Sequence, residues 1–267
     1  MLLGDARDLL APNVSSALQP ESIDAVITSP PYPNEKDYTR TTRLESVLLG
    51  FISNKAELRS LKEGFLRSNT RGVYKRDDDD LLVLGYPEIQ RIAGDIEARR
   101  IALSKTSGFE RLYARVTKLY FGGMVRHLAG LRTALRPGAR LAYVVGDQAS
   151  YLQVMIRTGQ LLAQIAESLG YELVSIDLFR TRLATATGEQ LREEVVVLRW
   201  PGRSRACLTG RRVAESDSLS SSSKSIALHG RRGAVPRAST MDYARARRLA
   251  RGQRRVSPSE GGCVPIK

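Results

Sequence analysis

The chain has 267 residues, of which 42% are hydrophobic, and a formal net charge of +14 at pH 7. This length is sufficient for one sizeable hydrophobic core, so a single domain with a tail is expected. Residues 1–200 carry a net charge of only +3, whereas residues 201–267 carry +11. The basic character therefore belongs mainly to the tail and does not by itself indicate a nucleic-acid-binding core.

Disulfide frameworks, metal centres and membrane spans are not expected. The two cysteines, Cys207 and Cys263, both lie in the tail, and His127 and His229 are the only histidines. A core without cysteine and with one histidine does not offer the usual ligands of a structural or catalytic metal. Charged residues interrupt the apolar start of the chain, and no apolar run approaches about twenty residues. We expect a soluble, cytoplasmic protein.

Strand and helix patterns alternate along residues 1–200. The apolar run at residues 24–28 predicts a buried strand. Apolar residues at spacings of three and four predict a long amphipathic helix over residues 109–135, bent at Gly122 and Gly123 and ended by Pro137-Gly138. Further patterns predict strands at 140–145, 171–178 and 194–200, and a helix at 160–169 closed by Gly170. This alternation predicts an α/β fold with a layered sheet.

The segment at residues 53–86 does not follow the alternation. Its basic residues are interleaved with Phe65 and Tyr74, a composition that suits contact with a phosphate backbone and stacking on bases. The alternative is a solvated helical excursion whose charges partly cancel. The run DDDD at residues 77–80 predicts a solvated turn rather than a metal site. The candidate DNA-binding residues are Lys55, Arg59, Lys62, Arg67, Arg71, Lys75 and Arg76.

The sequence TSPPY, at residues 28–32, ends the first predicted strand with two prolines. The pair fixes two φ angles and removes two N–H donors, so the carbonyls there are held without ladder partners. A rigid carbonyl at the carboxyl end of a parallel strand faces the crevice where α/β sheets bind ligands. The Ser29 hydroxyl and the Tyr32 ring suit hydrogen bonding to an amino group and stacking on the ring that carries it. The alternative interpretation is a plain exit from a strand into a loop.

TSPPY resembles the catalytic motif of the amino-methyltransferases, which methylate the exocyclic amine of cytosine or adenine in DNA with S-adenosyl-L-methionine. The continuation PNEKDYTR, at residues 33–40, is similar to that of a bacterial subgroup of DNA methylases. Gly4-Asp5-Ala6 resembles the motif that ends the third strand of that family, and RLAYVVGDQ and EVVVLRW are similar to its fifth and seventh strands. The resemblance covers residues 1–200. It implies a partial class-I methyltransferase sheet, Rossmann-like, with helices on both faces.

The resemblance implies a role for each matching residue. Ser29 and the carbonyl of Pro30 would hydrogen-bond the target amine, Pro31 belongs to the same rigid turn, and Tyr32 would stack on a base extruded from the duplex. Asp5 would contact the adenine of the cofactor. Direct methyl transfer needs no cysteine nucleophile, in agreement with a core that lacks one. Serine in the first motif position favours cytosine N4 over adenine N6. Double-stranded DNA is the expected partner, in a restriction-modification setting, and RNA or protein amines are the alternative substrates.

The chain departs from the family in one major respect, because the glycine-rich cofactor loop is missing in any order. Residues 201–267 are rich in Arg, Ser and Gly, which predicts a disordered basic tail. This tail is either a phosphate-binding arm or an aberrant extension of the reading frame. Without the first strand of the family sheet, the strand before TSPPY would lie at an edge. We therefore expect either a second polypeptide that supplies the cofactor half or a truncated product that is inactive alone and serves as a DNA-binding or subunit module.

Overall fold

Four strands form one mixed sheet in the computed structural model, which describes residues 4–9, 11, 14, 16, 18–184 and 188–202. The sheet order is β1-β2-β4-β3, with β1 parallel to β2 and β4 antiparallel to both of its neighbours. The predicted α/β fold is confirmed, and the sheet is consistent with the class-I methyltransferase arrangement. The strands are β1 (Ile23–Thr28), β2 (Leu135–Gly146), β3 (Glu172–Leu183) and β4 (Gln190–Arg199).

Among the described residues, six α-helices connect and flank these strands. Three short ones lie in the long segment between β1 and β2, and the three longest build the core. They are α1 (Tyr38–Thr41), α2 (Arg43–Leu48), α3 (Lys55–Glu63), α4 (Pro87–Ala102), α5 (Tyr113–Leu131) and α6 (Thr158–Ser168). Three 3₁₀ turns, Thr70–Gly72, Asp79–Val83 and Glu110–Leu112, join them. None of the helices described combines the length and apolar character of a membrane span.

The core lies between one face of the sheet and the helices α5 and α6. Along β2 the residues Ala139, Leu141, Tyr143 and Val145 alternate with more exposed neighbours and are buried. This period of two places one face of the strand against the helices. On the other face Ile27 is 84% exposed. The other face is therefore open to solvent at Ile27.

The observed elements differ from the predicted ones at several boundaries. The predicted helix over residues 109–135 is shorter, because a 3₁₀ turn precedes α5 and β2 already begins at Leu135. Pro137 and Gly138 lie inside β2, so they do not end the helix. Helix α4 was not predicted, although Pro87 at its first turn is a common helix-start signal. Gly170, with φ +92°, follows the end of α6 as predicted.

The glycine pair of α5 serves close packing within one continuous helix, Tyr113–Leu131, and the bend expected there stays a prediction. A Cβ atom at Gly122 would lie 1.8 Å from the carbonyl oxygen of Asp79, and one at Gly123 would lie 2.3 Å from Cδ1 of Leu66. The missing side chains therefore let Leu66 and the backbone of Asp79 approach the backbone of α5.

The predictions for the basic tail fall outside the described residues. The basic tail from residue 203 onward, with Cys207, Cys263 and His229, is not among them. Within the described residues, no three His, Cys, Asp or Glu side chains form a group suited to a metal ion.

Candidate active site

The SPPY turn occupies the position that the sequence predicts for it. β1 ends at Thr28, which pairs with Tyr143 of the parallel strand β2, and residues 29–32 leave the sheet at this carboxyl end. Ser29 is exposed, while Pro30, Pro31 and Tyr32 are partly buried. The prolines cannot donate to a strand ladder, so the chain turns away from the sheet here.

A cavity of ≈ 380 Å³ opens beside this turn. Volumes of this order are typical of small-ligand sites. Three segments meet around it: Gly4 and Ala6 from the N-terminal stretch, Ser29 and Pro31 from the turn, and the segment between β1 and β2. That segment contributes Asp37, Tyr38, Lys62, Gly64, Phe65, Leu66, Arg67, Ser68, Asn69 and Gly72. The predicted catalytic turn and the neighbours of the predicted cofactor residue Asp5 thus line the same cavity.

The ring of Tyr32 lies over the end of β2 and is not among the residues that line the cavity. A Cβ atom at Gly146 would lie 3.1 Å from Cε2 and 3.5 Å from Cδ2 of Tyr32. The first separation is shorter than ordinary van der Waals contact, so the absence of a side chain at Gly146 seats the ring. Gly146 is therefore a positioning residue for Tyr32, and the motif search did not find it.

Gly146→Ala is expected to displace the Tyr32 ring. The added methyl group must push the ring, the Glu193 side chain, whose Cγ would lie 3.3 Å away, or its own strand. Overpacking of this kind typically costs about 1–3 kcal/mol of stability. Changes in the ring resonances of Tyr32 in NMR spectra would report the displacement. Gly85→Ala is the matched control, because a Cβ atom there meets no atom within 4 Å. Unchanged Tyr32 resonances in the Gly146 variant would contradict this account.

An ion pair between Asp37 and Lys62 forms one side of the cavity. Lys62 Nζ donates to Oδ2 of Asp37 at 2.7 Å, and Oδ1 of Asp37 accepts from the backbone N–H and hydroxyl of Thr39 at 3.1 and 2.6 Å. Burial opposes ionisation of Asp37, but the hydrogen bonds from Lys62 and Thr39 outweigh it and lower the pKa of this carboxyl group. Asp37 also caps the N-terminus of α1. Lys62, predicted as a phosphate contact, thus points into the cavity with its charge already paired.

Arg67 corrects the predicted DNA-binding set. Its guanidinium is buried and forms a two-pronged ion pair with Asp77, with N–O distances of 2.9 and 3.0 Å. It also donates to the backbone carbonyls of Lys62, Glu63 and Phe65. With its donors used inside the protein, Arg67 holds the segment together and is not placed to bind a phosphate.

The aspartate run is not the solvated turn that the sequence predicts. Asp77 is buried against Arg67, and Asp79 is buried between Arg7 and Arg126, whose Nη1 atoms lie 3.2 and 2.8 Å from its carboxylate oxygens. These partners are distant in the sequence, so the local pattern did not reveal them. The run ties residues 77–80 to Arg67, to the N-terminal stretch through Arg7 and to α5 through Arg126.

Three of the remaining basic candidates are free of carboxylate partners among the ion pairs described. Lys55, Arg71 and Lys75 are exposed, and Arg71 lies over the ring of Phe109 at 5.5 Å. Arg59 and Arg76 both pair with Glu63 at the surface. Surface pairs of this kind are weak and yield readily to another anion. The DNA-binding role of these five residues stays a prediction.

Asp5 is engaged with Arg7 beside the cavity. Its two oxygens accept from the backbone N–H, Nε and Nη2 of Arg7, the last at 2.6 Å. His127 holds the backbone of Ala6, the residue that follows Asp5, because its Nδ1–H donates to the Ala6 carbonyl at 2.8 Å. Its Nε2 accepts from the hydroxyl of Tyr143 at 2.8 Å. Burial lowers the pKa of His127, so the neutral ring suits this pair of bonds. The cofactor role of Asp5 stays a prediction.

No protein-family model matches the chain. In sequence it is 26% identical over 212 residues to the type II methyltransferase M.BsoBI of Geobacillus stearothermophilus, in a match that covers 70% of this chain and 39% of that protein. It is 27% identical over 189 residues to the type II methyltransferase M.AvaI of Nostoc sp., covering 67% of this chain and 38% of that protein. Its sequence relatives are type II DNA methyltransferases. The chain spans less than two-fifths of the length of these relatives.

Solved structures give a weaker likeness. A protein described as a DNA modification methylase of Thermus thermophilus shares 15% sequence identity with the chain over 76% of this chain and 54% of that one, with a TM-score of 0.34. The same protein in complex with S-adenosyl-L-methionine gives a TM-score of 0.36, over 76% of this chain and 56% of that one.

Proposed function

We propose that this chain is the catalytic part of a DNA methyltransferase that moves a methyl group from S-adenosyl-L-methionine to an exocyclic amine, cytosine N4. The observation that carries the proposal is the SPPY turn at the carboxyl end of a parallel strand, opening onto a cavity that Gly4 and Ala6 also line. The sequence relatives named as type II methyltransferases support it. Adenine N6, or an amine in RNA, is a less favoured acceptor.

The residues of the turn present the acceptor amine. An amine inside a duplex is out of reach, so the base must be extruded into the cavity. The Ser29 hydroxyl and the Pro30 carbonyl would then accept its hydrogen bonds. Tyr32, which is seated on Gly146 and does not line the cavity, would have to turn toward the cavity to stack on the base. Because these groups are preset by the proline pair and by packing, the rate gain comes from positioning and oriented dipoles.

The residues present fit only part of the cofactor. The Gly4–Ala6 backbone borders the cavity, but the described residues contain no glycine-rich loop, and both oxygens of Asp5 are already bonded to Arg7. When bound, S-adenosyl-L-methionine supplies an electrophilic methyl group. Asp5 would meet its adenine, and the remainder of its binding surface comes from outside these residues.

The free edge of β1 suggests where that surface attaches. β1 pairs only with β2 among the strands described, and Ile27 of this strand is 84% exposed. An apolar edge strand with unpaired backbone groups is a ready pairing site. A second polypeptide, or a further part of a longer chain, would add strands here and supply the cofactor half. Without it, the chain would act as a DNA-binding or subunit module.

Ser29→Ala is expected to lower methyl transfer by about 100-fold, the scale of losing one preset polar contact to the reacting group. Tyr32→Ala should weaken capture of the extruded base by about 1–3 kcal/mol, the usual value of base–aromatic stacking. Methyl incorporation into DNA is measured with the full-length reading frame or with a complex restored with the cofactor half. Cofactor affinity should change little in the Ser29 variant.

Ser60→Ala, at an exposed position on α3, is the matched control. Melting curves for each variant separate chemistry from folding. Unchanged methyl transfer in both site variants, or a loss of transfer that only parallels a loss of folded protein, would show that the SPPY turn is simply the connection from β1 into a loop. Salt-dependent DNA binding that ignores both the cofactor and Ser29 would instead favour the non-enzymatic module.

A further inference from the structure

Part of the cavity lining outside the SPPY motif is charged. Asp37 and Lys62 both line the cavity together with Ser29, Pro31 and the aromatic Phe65. The side chains of Lys62 and Asp37 are only 18% and 5% exposed. A nearly buried ion pair is weak evidence for a stabilising role, because desolvation of two charges offsets much of their attraction. Its place in the lining of the same cavity as Ser29 favours a role in ligand binding.

The Lys62 ammonium is held by Asp37 and has further N–H donors that are not used in this ion pair. Asp37 is fixed by two hydrogen bonds from Thr39 and takes one proton of the Lys62 ammonium at 2.7 Å. An ammonium group carries three donors. Asp37 is the one side-chain partner of Lys62 among the hydrogen bonds of the described residues. The other two protons are available to a molecule in the cavity.

Cytosine and adenine differ in what they offer such a donor. Next to its amine, cytosine carries the acceptors N3 and O2, whereas adenine carries the acceptor N1 followed by a C–H group. Lys62 and Ser29 line the same cavity, so with the amine held at Ser29 the Lys62 ammonium would be the donor available to O2 of cytosine. The same cation faces an apolar C–H edge in adenine and loses hydrogen bonds when it is desolvated.

We propose that Lys62, held by Asp37, is a specificity-determining residue that selects cytosine over adenine as the extruded base. This inference rests on the proposed function, since it names the base taken by the same cavity. It assigns Lys62 to base recognition and removes it from the set of phosphate contacts. A site built to hydrogen-bond a substrate group rejects the analogue that lacks the group, because its own buried donors are left unpaired.

The test measures binding of deoxycytidine and deoxyadenosine to the full chain by ligand-observed NMR titration. Wild-type protein should bind deoxycytidine more tightly than deoxyadenosine by about tenfold or more, the scale of one good base contact. Lys62→Met should remove this preference by weakening deoxycytidine alone. Lys105→Met is the matched control, because Lys105 is an exposed lysine that pairs with Glu110 and does not line the cavity.

A second variant keeps the test valid if Lys62→Met does not fold. Lys62→Gln retains an N–H donor without the charge and should keep part of the preference for deoxycytidine. Equal weakening of both nucleosides, an unchanged ratio, or no binding of either nucleoside by wild-type protein would overturn the inference.

Failure of this inference is distinguishable from failure of the proposed function. Ser29→Ala should weaken both nucleosides, because both carry the amine, whereas Lys62→Met should change only their ratio. A Ser29-sensitive site with no dependence on Lys62 would leave the proposed function standing and remove only the assignment of the base-selecting residue.

Discussion

Asp79→Ala is expected to lower the free energy of unfolding by about 3–5 kcal/mol, the usual cost of removing one partner from a buried ion pair. The carboxylate is 3% exposed and lies 3.2 Å from Nη1 of Arg7 and 2.8 Å from Nη1 of Arg126. Its removal leaves two guanidinium groups near each other inside the protein with less compensating charge. Urea denaturation followed by circular dichroism measures the loss.

Asp95→Ala is the matched control for this experiment. Asp95 pairs with Arg91 on the exposed face of α4, and surface pairs contribute little to stability. Its denaturation midpoint should stay close to that of the wild-type protein. A similar, small change for both aspartates would show that residues 77–80 are solvated, as the sequence alone suggests.

Gly122→Ala is expected to destabilise the protein by about 3 kcal/mol or more, at or beyond the upper end of ordinary overpacking. The added Cβ would lie 1.8 Å from the carbonyl oxygen of Asp79 and 2.5 Å from its carbonyl carbon. These are backbone atoms, so no side-chain rotation relieves the clash. The segment that carries Asp79 must move away from α5, which also disturbs the ion pairs with Arg7 and Arg126.

The control for the second prediction is Gly94→Ala on helix α4. A Cβ atom there meets nothing within 4 Å, and alanine in place of an unconstrained helical glycine stabilises a protein by about 0.4–1 kcal/mol. Opposite signs for the two substitutions in thermal melts would support the packing role of Gly122. A stabilising effect at both glycines would mean that the helix and the Asp79 segment separate easily.

Most of the sheet was predictable, because its signals are local. β-branched runs and alternation predict the centres of β2, β3 and β4, although each strand extends beyond the predicted limits. Helix α4 was missed even though Ile89, Ile92 and Ile96 are buried at helical spacing. This apolar stripe directly follows the strongly charged segment at residues 53–86, so the local pattern is dominated by charge.

Only the part of the candidate site that the SPPY motif supplies was predictable from the sequence. The SPPY turn is a contiguous signal, whereas Lys62 reaches Asp37 from 25 residues away and Arg7 reaches Asp79 from 72 residues away. An acidic run resembles a solvated turn until its partners are known, since the cost of burying charge is offset only by groups that the fold brings close. Gly146 gave no signal of its own, because its function is to leave room for Tyr32.

The parallel pairing of β1 with β2 has a consequence for the folding mechanism. β3 and β4 are antiparallel neighbours joined by a short connection, so they pair at little entropic cost. β1 ends at Thr28 and its partner strand β2 begins only at Leu135. The whole intervening chain, with its helices, must therefore form a closed loop before these two strands can pair. Contacts of such long sequence separation are formed slowly. The strand that presents the SPPY turn thus joins the sheet late, and the cavity is among the last parts of the molecule to be completed.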